Sequence, residues 1–128
     1  MKNDSIHQLV NLVTDKDLSY NFDDKEKFHS LGRSVLKKIA KSMGLAPGSF
    51  EIHNNRGGIA VSGEVTLHGE RIYIQFSQSI LGHSKFMFRS CQGMKDYTGG
   101  FNQWMKWADL TDYDVAIQRF ISVAESGI

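Results

Sequence analysis

The sequence predicts an α+β fold in two layers: a four-stranded antiparallel meander sheet covered on one face by helices from the N- and C-terminal segments. Three observations carry this. Apolar residues recur at helical spacing before Gly48 and again after Thr111, they alternate with a period of two between Phe50 and Cys91, and turn-forming residues separate the alternating runs. At 128 residues, 41% hydrophobic and 23% charged, the chain has material for one core. A single domain follows over 1–128: helical over 1–48, sheet over 49–91, and a polar loop with a C-terminal helix over 92–128.

Ile6, Leu9, Val10 and Val13 give the first helix one buried face, with Asp4 or Ser5 as its cap. Leu18, Tyr20 and Phe22 pack the connection onto the body. The second helix opens on Asp23 and Glu26, spaced as a capping box, and carries Phe28, Leu31, Val35, Ile39 and Met43 along one side. Lys37, Lys38 and Lys41 suit its carbonyl end, Gly44 terminates it, and Pro47-Gly48 confirms the stop.

A first strand at Phe50 to His53 turns back through Asn54-Asn55-Arg56-Gly57-Gly58. Ile59, Val61, Val65 and Leu67 then alternate with polar residues, as do Ile72, Ile74 and Phe76. A two-residue Gly69-Glu70 loop keeps both apolar sets on one face and pairs Leu67 with Ile72, Val65 with Ile74 and His68 with Arg71. Residues 80–84 connect to a fourth strand, Lys85 to Cys91. Phe101 to Trp107 reads as one or two helical turns, and Thr111 with Asp114 as the start of a last helix with Tyr113, Ala116, Ile117, Phe120 and Ala124 inward.

Fifteen basic and fourteen acidic residues leave a formal charge of +1, so no global field draws the protein to nucleic acid or to anionic membranes. No apolar run is long enough to cross a bilayer or to act as a secretion signal, and no membrane partner is expected. The lone Cys91 has no disulfide partner in the chain and fits a reducing, cytoplasmic setting.

The stretch from Arg89 to Trp104 is the least explicable as packing. It gathers charged, amide, hydroxyl and aromatic side chains around Gly93, Gly99 and Gly100, where consecutive amides can cradle an anion beside Lys95 or Arg89. The competing account is turn geometry, with Asp96 bonding nearby amides and Tyr97 and Trp104 closing the core edge. The candidate contact residues are Arg89, Lys95, Asp96, Tyr97, Gly99, Gly100, Asn102 and Trp104. Neither a P-loop nor a GxGxxG pattern is present, so no cofactor is expected. His7, His29, His53, His68 and His83 are scattered without metal-ligand spacing, so no metal is expected either.

Gly57-Gly58-Ile59-Ala60-Val61-Ser62-Gly63-Glu64-Val65-Thr66-Leu67-His68 and Arg89-Ser90-Cys91-Gln92-Gly93-Met94-Lys95-Asp96-Tyr97-Thr98-Gly99-Gly100 resemble segments of small accessory proteins of tailed bacteriophages. The resemblance implies a phage or mobile-element origin and action in the cytoplasm of a bacterial host. It assigns no site residue.

The leading expectation is a non-enzymatic accessory protein that engages a host macromolecule, in the first place a host protein, through the 89–104 loop and the adjoining sheet edge, anchored by Arg89, Tyr97 and Trp104. The alternative is a nucleic-acid-binding module, with Lys37, Lys38, Lys41 and Lys95 on phosphates and Tyr73 or Trp104 stacking on bases. A weaker alternative is a small enzyme with Cys91 as nucleophile and His53, His68 or His83 as base.

Overall fold

The computed structural model describes residues 5–15, 18, 22–55, 63–78, 85–96 and 100–126. The expected strand at Ile59 and Val61, the connection over 80–84, His83, Tyr97 and Gly99 lie outside these residues. The chain runs α1 (Ser5–Asp15), α2 (Phe22–Ser42), β1 (Phe50–Asn55), β2 (Glu64–Gly69), β3 (Ile72–Ser77), β4 (Lys85–Ser90), β5 (Gln103–Lys106), a 3-10 turn (Trp107–Thr111) and α3 (Tyr113–Ser126). The strands pair in chain order, all antiparallel, as one open sheet.

The α+β fold agrees with the sequence, but the sheet has five strands. Gln103–Lys106, expected as helical turns, pairs with β4 through Phe86 opposite Met105 and Met87 opposite Trp104. Four residues with one inward side chain carry too little period to announce a strand, and the free edge of β4 decides their conformation.

Helix α2 packs on β1 and β2, α3 packs on β4 and β3, and α1 lies on α2 and the 3-10 turn. All helices therefore share one side of the sheet. Their apolar stripes meet Val65, Leu67, Ile74, Phe76, Phe86 and Phe88 in one core. Trp107 fills its centre, with ring centroids 4.8 Å from Phe86 and 4.9 Å from Phe76, while Phe120 of α3 packs edge-on to Phe88 at 5.0 Å. Gln78 is fully buried; its amide donates to the Val13 carbonyl and accepts from the Leu18 amide, both at 2.8 Å, so it stitches the end of α1 to the sheet.

Gly44 ends α2 as expected. With φ +77° it donates to the Lys41 carbonyl while Leu45 donates back to Ala40, which satisfies carbonyls the helix end would otherwise leave open. The helix starts at Phe22, so Asp23 and Asp24 both lie in its first turn rather than Asp23 preceding it. Thr111 does not cap α3. Its hydroxyl donates back to the Ala108 carbonyl, and the carbonyl of Asp112 receives the first helical bond, from Ala116.

The β2–β3 register differs from expectation by two residues. Leu67 faces Ile74, Val65 faces Phe76 and His68 faces Tyr73, which leaves Glu70 and Arg71 as the connection. Both registers put the same side chains on the core face, so periodicity alone could not separate them. Pairing to β1 selects the longer strand, because Phe50 sits opposite Gly69. Gly69 thus serves the strand, where a Cβ would lie 3.4 Å from Ile72 Cγ2 and 3.6 Å from Leu45 Cδ1.

Candidate functional site

Alternation along the strands places a second set of side chains on the face that carries no helix. One row across it runs Glu51, His68, Tyr73, Arg89, and the next runs His53, Thr66, Gln75, Met87, Trp104. Beyond these, Lys85 stands directly opposite Lys106.

The first row is closed from β2 to β4, while Glu51 at its β1 end is exposed. The Arg89 guanidinium lies 4.7 Å from the centre of the Tyr73 ring, and His68 meets the same ring edge-on at 5.1 Å. The segment after β4 folds over this end: His68 Nε2 donates to the Gly93 carbonyl at 3.0 Å, which requires the tautomer protonated at that nitrogen. Asp96 returns an amide bond to the same carbonyl, and its carboxylate accepts the Gln92 amide at 2.9 Å. His68 and Arg89 are consequently only 3% and 5% exposed. Burial pulls the His68 pKa below its ordinary value, with the Arg89 charge acting in the same direction against partial compensation from the Gly93 and Asp96 contacts.

These contacts divide the residues expected to bind a partner. Arg89 is a buried member of a stacked polar cluster rather than an accessible anchor, because strand alternation turns it onto Tyr73. Asp96 is half-buried and occupied with the turn. Gly100 has φ +77°, and a Cβ there would lie 2.5 Å from the Ser90 carbonyl oxygen, so geometry alone requires glycine. Lys95 and Asn102 are exposed, and Trp104 keeps 54% of its surface in solvent. Phe101, just before β5, is 74% exposed.

Cys91 lines a cleft of about 320 Å³ together with Arg71, Ser90, Gln92, Gly100 and Ala124. Its thiol is buried and donates to the Gly69 carbonyl at 3.2 Å, not to an imidazole. Desolvation pushes its pKa up, away from the thiolate that a nucleophile needs. His53 is exposed 3.8 Å from Glu51 on the far side of the sheet, at β1. Among the described residues, no three His, Cys, Asp or Glu side chains converge as a metal site.

The basic stripe of α2 is separated from the aromatic residues proposed to work with it. Lys37, Lys38 and Lys41 are exposed on the side of α2 turned away from the sheet, with the Lys38 amine 5.2 Å from the Tyr113 ring, whereas Tyr73 and Trp104 occupy the opposite face of the molecule. A single ligand of short reach cannot touch both. Sequence reasoning missed Lys85, Met87, Phe101 and Lys106. The alternation of residues 85–89 carried a signal for the first two, while the other two depended on recognising β5.

No described helix is long and apolar enough to cross a membrane. Compared with known protein families, with curated proteins and with solved structures, the chain has no significant match.

Proposed function

We propose that this protein is a non-enzymatic binding protein that engages a macromolecular partner through the β4–β5 margin of its helix-free sheet face. The observation that carries the reading is the exposure of Trp104 on an edge strand, next to Met87 and close in sequence to the exposed Phe101. Tryptophan is enriched among the residues that anchor interfaces, and contiguous exposed apolar surface marks interaction sites. The Cys91 thiol, buried and bonded to a backbone carbonyl, lacks the accessible, activated setting of a nucleophile. The resemblance to phage accessory segments adds a bacterial cytoplasm as the setting and a host macromolecule as the partner.

The reading is tested by affinity capture from bacterial lysate, with and without nuclease, comparing the wild type with Phe101→Ser/Trp104→Ala. Both side chains are solvent-facing, so the variant is expected to fold normally by circular dichroism and to lose the captured partner. Equal capture by a folded variant would remove the assignment.

A further inference from the structure

We infer that the partner taken by this margin is single-stranded nucleic acid, an inference that rests on the binding reading above and names its chemical class. The starting observation is electrostatic. Lys85 and Lys106 stand directly opposite each other on adjacent strands, an arrangement of like charges that costs stability in the isolated protein. Both are exposed, and among the described residues neither has an acidic partner. The acidic side chains that the strands themselves present on this face, Glu51 and Glu64, sit on β1 and β2, and Asp96 lies at the other end of β4, over the His68 row. The face is therefore polarised, with its positive end at β4 and β5.

The second observation is geometric. Trp104 lies two residues before Lys106, and Met87 two residues after Lys85, each one pleat along the same face, a step of about 7 Å. A flat ring system lying on the indole would bring an attached phosphate to the paired amines. Base stacking on an exposed aromatic beside a cationic groove is the recurrent mode for single strands, and it tolerates any base because each has a π face. A duplex keeps its bases stacked on each other and offers the indole nothing to stack on. An acidic peptide could satisfy the amines but supplies no regular series of planar faces, and Lys106 on the edge strand discourages simple strand addition. Thr66 and Gln75 continue the Trp104 row toward β2 and offer neutral hydrogen-bonding groups along the same track.

The test uses fluorescence anisotropy of a labelled oligothymidylate of about ten nucleotides, titrated with the intact protein at about 50 mM salt. Binding is expected, with quenching of tryptophan emission that is absent in Trp104→Ala. Two phosphate contacts to a single strand predict a slope of log K against log salt of about −1.4. Lys85→Glu/Lys106→Glu is expected to weaken binding at least about tenfold and Trp104→Ala about tenfold, while Lys37→Glu/Lys41→Glu on the other side of the molecule leaves it unchanged. Absence of binding up to about 100 µM protein, or full binding by the folded Lys85→Glu/Lys106→Glu variant, overturns the inference. So does polyglutamate that displaces the oligonucleotide at equal concentration, which would point to an acidic protein. If the oligonucleotide fails while Phe101→Ser/Trp104→Ala still abolishes capture of a nuclease-resistant partner, the inference falls and the binding reading stands. If that variant leaves capture intact, both fall.

Discussion

The two edges of the sheet are treated in opposite ways. At the β1 edge, Arg33 of α2 donates to the Ile52 carbonyl at 2.9 Å and to Asn54 Oδ1 at 3.0 Å, and the Asn54 amide reaches the His29 carbonyl at 3.3 Å. A helix side chain thus ties the first strand down. At the β5 edge, no described backbone group outside the sheet bonds to the strand, and the side chains presented there are Trp104 and Lys106. An open edge is a hazard that proteins blunt with charge or cover with structure. Here one edge is covered, and the other is charged and aromatic, the surface on which the proposed binding rests.

The contrast is tested most severely by the two tryptophans that flank this edge. Trp107 is fully buried among Phe76 and Phe86, and Trp107→Ala is expected to cost about 3–5 kcal/mol by chemical denaturation. Trp104→Ala, three residues earlier, is expected to stay within about 0.5 kcal/mol of the wild type. If Trp104→Ala destabilised as strongly as Trp107→Ala, the indole would be structural and the open edge would lose its meaning.

At the closed edge, Arg33→Ala removes two charge-assisted bonds at an exposed site, and a loss of about 1 kcal/mol is expected. Sedimentation velocity should at the same time show increased self-association, because β1 is released from its helix. A monomer of unchanged stability would mean that Arg33 does not protect the edge.

The smallest effect concerns the closed row of the face. His68 is neutral in the fold because burial lowers its pKa, whereas the unfolded chain titrates at about 6.5. Above that pH neither state carries the charge and stability is fully present. As pH falls below it, the unfolded chain gains the proton first, and stability declines until the lowered folded pKa is passed. Denaturant midpoints are therefore expected to fall between about pH 7 and pH 5, and the part due to this residue should vanish in His68→Gln. An imidazole that titrates by NMR at or above the ordinary value would contradict the closed arrangement.

Much of this was legible beforehand. The helical stripe from Phe28 to Ile39 and the stop at Gly44 needed no tertiary information, because spacing and a left-handed glycine are local properties. The polarity of the faces of β2, β3 and β4 was equally plain from alternation. The candidate surface was legible only in part. Trp104 was named and is exposed, yet Arg89 was grouped with it although the fold turns that guanidinium onto Tyr73. Burial of a charged side chain depends on which ring lies across the strand, and that follows from register.

The sequence by itself determined which residues face the core, since a period of two or of 3.6 is written into the order of side chains and the hydrophobic effect acts on each of them separately. Only the tertiary structure decided the two-residue shift between β2 and β3, the fifth strand, and the meeting of Lys85 with Lys106. A shift by two leaves every face unchanged, and a short strand exists because a neighbouring edge offers it hydrogen bonds. Such choices depend on partners distant along the chain, so they become visible only when the strands lie side by side.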